Sequence, residues 1–395
     1  MSGGPPAAPG GAPPSPGGLS APLFAGFAVA AIGGPLALPS ILPGVAGDAI
    51  SSAGLVVLVA LALFAAPLAI WLSYSRRVVS PGGLTAFVDA TSGRRVVLAH
   101  GWIWAFSYLL YLPFTVTFVV YDVLAPVFPG IEPYRAALEL LLPIAVVAVV
   151  LAPLRWSLAG LGVLAAAQLV LLVVLAVVTL SHTGGVDGTF RVHEGARPTA
   201  RAAAGVALLF ICASLPLYLG GEVRGGSRTV RRWIAAAVAV VGACFLLAAA
   251  PMALVPERLL DAAVPGAAIA QAYAGRGLAV AVGLFTAASA LALIVAEYLA
   301  LGRLIHWLHG PPVRTVLLWI ALPFVAVTAI QLVDPDRLYD DMLKPSLGAL
   351  FVSQLIVVAL YPRFRRGALA VFGALVASGL MVWGFYTLVA GSSST

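Results

Sequence analysis

The sequence predicts an all-α polytopic membrane protein made of two inverted five-helix repeats plus one additional helix. Three observations lead there. The 395-residue chain is 62% hydrophobic and 9% charged, with a mean hydropathy of +1.05, more apolar surface than a soluble domain can bury. Apolar runs long enough to cross a bilayer follow one another with short polar breaks. The first and sixth runs are interrupted alike, by Gly33, Gly34, Pro35 and Pro39 in AAIGGPLALPS and by Cys212, Ala213, Ser214 and Pro216 in ICASLPLYLGG. In lipid a broken helix persists only where protein or a water-filled cavity covers the freed backbone. Matched breaks five spans apart mark the binding site of inverted-repeat transporters. An ordinary proline kink is the simpler alternative, since the chain holds 41 Gly and 29 Pro.

In order, residues 1–18 are almost wholly Gly, Pro, Ala and Ser and read as a flexible tail. They lack the basic region of a signal peptide; the first cation is Arg76. Eleven spans follow, at about 20–42, 53–73, 98–124, 137–154, 159–180, 203–221, 233–255, 279–301, 314–333, 345–361 and 367–389. Residues 19–390 thus form one transmembrane domain, with repeats at about 20–180 and 203–361 and an extra span at 367–389. Cys212 and Cys244 lie inside apolar runs and read as small buried thiols.

Orientation follows from the arginines. Fourteen of the 22 basic residues, among them Arg76, Arg77, Arg94, Arg95, Arg228 and Arg232, fall in loops on the side of the N-terminus, against eight opposite. The positive-inside rule makes that side cytoplasmic and puts the C-terminus outside. The excess of arginine belongs to these loops, not to nucleic-acid binding. The expected location is a plasma (cell inner) membrane.

The passage Ser80–Leu124 carries Pro81, Gly82, Gly83, Phe87, Val88, Gly93, Gly101 and Trp102 in order. It resembles the second-to-third span region of amino acid permeases of the amino acid–polyamine–organocation superfamily. Glu222, Val223, Arg224, Arg228 and Arg232 are similar to that family's segment after span six. The likeness runs collinearly from Leu23 to about Tyr361 and implies a leucine-transporter-like fold. It also implies that the broken spans hold an amino acid's carboxylate and amino group on exposed backbone; half-helix N-termini suit a carboxylate. The chain departs from the family at both breaks. Gly33-Gly34-Pro35 stands where Gly-Ser-Gly is usual, and Pro35 has no N–H to donate. Phe210-Ile211-Cys212-Ala213-Ser214 lacks the expected glycine.

These readings nominate Gly33, Gly34, Tyr108, Ile211, Cys212, Ala213 and Ser214 as substrate-binding residues, with Tyr111 beside Tyr108. Glu222, Arg228 and Arg232 are candidates for a cytoplasmic loop or gate. Coupling would use H⁺ or Na⁺, with no other cofactor. The lysine that some proton-coupled relatives carry in span five is absent, because the only lysine is Lys344. Thr286 and Ser289, one turn apart, could ligate Na⁺ with span-one carbonyls. Glu297, the one carboxylate well inside a predicted span, could carry a proton; alternatively it snorkels from the cytoplasmic end of its helix. His306 and His309 have no acidic partner nearby for metal binding. Asp122 reads as a headgroup-zone residue.

The expected function is secondary active transport of a small, neutral amino acid or related solute, because neither a carboxylate nor an arginine is evident at mid-membrane. Membrane lipids are the other expected partners. The alternatives are a permease-like sensor and an integral-membrane enzyme acting on lipids. The enzyme would need clustered acids with histidines, whereas Asp334, Asp336, Asp340 and Asp341 sit in an outer loop with none.

Overall fold

Leu38–Ala46 begins with Pro39 in its first turn, where a missing N–H costs nothing. This half-helix and Ala21–Ala30 are the two parts of the first span, with non-helical backbone between them at 31–32 and 34–37. Pro39 therefore starts the second half instead of interrupting the span. The computed structural model describes residues 18–32 and 34–391, with the backbone alone for 336–340 and 390–391. Gly33 and the predicted tail, apart from Gly18, lie outside the described residues.

The other spans are Ala53–Tyr74, Arg94–Thr117 continued by a π-helical turn at Phe118–Leu124, Arg135–Leu151 and Leu154–Thr183. The sixth span is an α-helix, Ala196–Leu208, and a 3₁₀ helix, Ile211–Glu222. Then come Gly226–Ala249, Arg276–His309, Val313–Gln331, Pro335–Phe364 and Ala368–Gly391. Among the described residues, ten helices are long and apolar enough to cross a membrane, and the short apolar Ala21–Ala30 completes the set. Each of the eleven predicted runs contains helix.

The repeat shows in the packing. Span one lies against span seven, and span six against span two, pairs that a shift of five spans interchanges. Spans three and eight, which the same shift exchanges, pack on each other, and span ten lies along span three. Span one also crosses span five at Gly26 and Gly162, where a Cβ on Gly26 would sit 2.6 Å from the Gly162 Cα. Small residues let membrane helices approach this closely. Short helices between the spans, Gly83–Asp89, Glu257–Leu260 and Pro265–Ala274, are too brief to register as apolar runs.

The loops gather on two faces. On the arginine-rich face, Leu19 pairs in parallel with Val223, Gly82 lies against Trp307, and Arg94 Nη2 donates to the Leu308 carbonyl at 3.2 Å. On the opposite face, Gly54 N donates to Thr189 Oγ1 at 2.8 Å and His193 N to Ser52 Oγ at 3.2 Å. We call these the basic and acidic faces.

Candidate functional site: a central cavity between the broken spans

The α-helical part of span six stops at Leu208 and turns at Leu209–Phe210 before the 3₁₀ helix begins. The break thus starts three residues before Cys212. A 3₁₀ segment of twelve residues is long for that geometry and marks a place where regular packing has been given up. Pro216, with no N–H, and the small residues Cys212, Ala213 and Ser214 favour the looser winding.

A cavity of about 260 Å³ fills the space this creates. Its walls come from the second half of span one (Ala37, Ile41), span three (Tyr108, Phe114), the span-six break, span eight (Leu293, Glu297) and span ten (Leu347). Of the residues nominated from sequence, Tyr108, Tyr111, Ile211, Cys212 and Glu297 line it. The Tyr108 hydroxyl lies 4.0 Å from Cys212 Sγ.

The others go elsewhere. Gly34 (φ +65°) packs on the backbone of Ser289, where a Cβ would meet the Ser289 carbonyl oxygen at 2.9 Å. Ser214 donates to the Ile211 carbonyl at 3.0 Å and accepts from Gln354 Nε2 at 3.2 Å, so it ties span six to span ten. Ala213 is buried beside it. Ser289 donates to Gln168 Oε1 at 2.8 Å. Thr286 lines a second cavity toward the acidic face. The coupling candidates are therefore not one cluster: along a helix rising about 1.5 Å per residue, Glu297 lies about 12 Å from Ser289.

Glu297 is the largest departure from the sequence reading. Span eight runs to His309, not 301, so Glu297 stands about 18 Å from its basic-face end and cannot snorkel there. It is 0% exposed, and neither carboxylate oxygen has a hydrogen-bond partner in the protein. A fully buried carboxylate does line the cavity from within span eight, which removes the reason for expecting a neutral substrate. The predicted end at 301 falls just before Arg303. That side chain is 5% exposed and donates to Glu222 Oε1 at 2.6 Å and to the Leu299 carbonyl at 3.0 Å. Glu222 thus pairs with Arg303, which was not nominated. Of the other two loop or gate candidates, Arg228 and Arg232, the latter lies over the Trp233 ring.

Beneath the cavity the basic face is closed. Trp104 packs between Tyr108 and Tyr218 in tilted contacts, with ring centroids 4.3 and 4.4 Å apart, and Tyr218 presses on Gly83 (φ +51°), where any Cβ would collide with its ring. Under this lie the Glu222–Arg303 pair and the Leu19–Val223 bridge, with Leu19 N donating to the Glu222 carbonyl at 2.7 Å. In the same wall the His100 ring Nδ1 meets Thr85 Oγ1 at 2.9 Å. The acidic-face side differs. There the second cavity, about 780 Å³, shares Ala37, Ile41 and Phe118 with the central one.

No protein-family profile matches the sequence, and no curated protein does. Solved structures are similar to it across nearly the whole chain. A manganese transporter from Eremococcus coleocola, in complex with an aromatic bis-isothiourea substituted compound, superposes with a TM-score of 0.62 at 12% identity, over 95% of this chain and 88% of that one. MhsT in complex with L-phenylalanine gives 0.63 at 15% identity, over 92% and 97%. The chain therefore has the leucine-transporter-like fold of two inverted five-helix repeats.

Proposed function

We propose that this protein is a secondary transporter of the amino acid–polyamine–organocation type, moving a small amino-bearing organic solute by alternating access. The observation that carries the reading is the central cavity: it lies at the break of span six, is shut toward one face and adjoins a wide cavity toward the other. That is the layout of a carrier caught open to one side. The matched solved structures, one described as a manganese transporter and the other holding L-phenylalanine, support it. Among the described residues no three His, Cys, Asp or Glu stand close enough to hold a metal, so no observation favours the lipid-enzyme alternative.

The basic face is the cytoplasmic one in this reading, by the arginine count. A reporter fused after Gly93 should be active in the cytoplasm; activity confined to the outside would reverse the orientation. Transport itself is tested with purified protein in proteoliposomes and a panel of labelled amino acids and amines. Saturable uptake above that of empty liposomes is expected for at least one. Uptake of none would contradict the reading.

Coupling by H⁺ at Glu297 is favoured over Na⁺, because Ser289 is spent on Gln168 and stands apart from the cavity. The groups facing Glu297 across the cavity are Tyr108 and Cys212. A pH gradient without Na⁺ should drive uptake in wild type and fail in Glu297→Gln. Strict Na⁺ dependence with an unaffected variant would move coupling to Thr286 and Ser289.

A further inference from the structure

Glu297 does not resemble a structural acid. A buried structural carboxylate accepts a hydrogen bond, as Glu139 does at one oxygen from Thr117 Oγ1 at 2.6 Å, its other oxygen being unpartnered. Glu297 is as deeply buried, yet both of its oxygens are unpartnered and it borders open space. An isolated buried carboxylate is costly, and a charged partner with good geometry relieves the cost. The protein supplies none, since no Lys, Arg or His is among the described residues lining the cavity. In the charged form that remains once the coupling proton leaves, its partner must come from outside.

The rest of the lining says what kind. Tyr108, Tyr111, Phe114 and Phe118 line the same cavity, and aromatic faces attract cations. The remaining wall is mostly leucine and alanine. A metal ion is poorly matched, because hard cations want about six oxygens and the wall is apolar. The volume equals roughly nine waters, room for a small organic body. A free amino acid is also poorly matched. Its carboxylate would share this small cavity with Glu297, and the backbone donors are depleted: Pro35 has no N–H, and Ala213 N is spent on the Phe210 carbonyl at 2.9 Å.

A second feature points the same way. Asp48, Glu194, Glu257 and Asp261, all exposed, line the acidic-face cavity, and no Lys or Arg does among the described residues. These four come from three separate loop regions. Such a one-signed vestibule concentrates cations and speeds their entry.

We propose that the substrate class is small organic amines that lack a carboxylate, the ammonium bound to Glu297 and the apolar body held among the aromatic side chains. This rests on the transporter reading and narrows it. Glu257 and Asp261 would act on entry, not on affinity.

The test is equilibrium binding to the full-length protein in lipid nanodiscs, using tritiated 2-phenylethylamine with hexylamine, 2-phenylethanol and L-phenylalanine as competitors. Each amine should compete at least about 30-fold better than the alcohol or the amino acid, the scale of losing one partner of a buried charge pair. Glu297→Gln should erase that preference, and Glu297→Asp should retain part of it. Glu257→Gln with Asp261→Asn should slow association at low salt while leaving the preference intact. Equal binding of amine and alcohol, tighter binding of L-phenylalanine, or no binding of either amine would overturn the proposal, as would an unchanged preference in Glu297→Gln. Uptake of amino acids in the proteoliposome assay would in those cases leave the transporter reading standing, so the two fail separately.

Discussion

Gly26→Leu should remove most of the protein's thermal stability and abolish uptake, whereas Gly160→Leu should do neither. Spans one and five meet backbone to backbone at Gly26 and Gly162, and even a single Cβ on Gly26 would lie 2.6 Å from the Gly162 Cα. Real Cβ contacts are longer, and the obstacle is main chain, which has no rotamer to change. A larger side chain must pry the first half of span one from its bed on spans five and seven. Overpacking costs about 1–3 kcal/mol where side chains can move; here about 3 kcal/mol or more is expected. Gly160, two residues away on the same helix, has nothing within 4 Å of its would-be Cβ. Melting of the detergent-purified variants, followed by fluorescence-detected size exclusion, checks the pair. Equal Tm values for both would show that the crossing is not a tight one.

Glu222→Ala should loosen the basic face without unfolding the protein. The substitution leaves Arg303 buried with only the Leu299 carbonyl to satisfy it. Breaking a fully buried pair costs about 3–5 kcal/mol. Because Glu222 is 34% exposed, solvent replaces part of the interaction and about 1–2 kcal/mol is the reasonable scale. The strain falls on the Leu19–Val223 bridge, held by Leu19 N to the Glu222 carbonyl and Arg224 N to the Leu19 carbonyl. Amide exchange at Leu19 and Arg224 should therefore quicken by about 5- to 30-fold. Combining Glu222→Arg with Arg303→Glu should restore much of the protection. Unchanged exchange in the single variant would show that the ion pair does not hold this face.

The fold was legible because membrane helices announce themselves by apolar length, and the repeat by paired breaks at Gly34-Pro35 and around Cys212. The site was legible in part. Tyr108, Ile211 and Cys212 line the cavity as expected, since a break must face covered space. The misplaced residues share a cause: their roles depend on partners far away in sequence. Ser289 seemed free for an ion until its neighbour Gln168 came from span five, 121 residues earlier. Ser214 is claimed by Gln354, 140 residues on. The predicted span eight stops at 301, just before Arg303; the pairing of Arg303 with Glu222 offsets the charge and lets the helix continue to His309. The early end put Glu297 about one turn from its helix terminus in the sequence reading. No local pattern corrects it, because the correction lies in the partner.

Alternating access is the central claim, and Cys212 reports on it directly. It lines the cavity, and with Cys244→Ser as background it is the only thiol in the chain. The measurement is alkylation by a membrane-impermeant cationic thiosulfonate, applied to oriented vesicles from one side at a time. In otherwise wild-type protein Cys212 should react from the acidic face and be shielded from the basic face by Tyr218 and Trp104. With Glu222→Ala, reaction from the basic face should appear and reaction from the acidic face should fall in proportion. A thiol that reacts from both faces together, or whose reactivity from one face rises with no loss from the other, would contradict a carrier that opens to one side at a time.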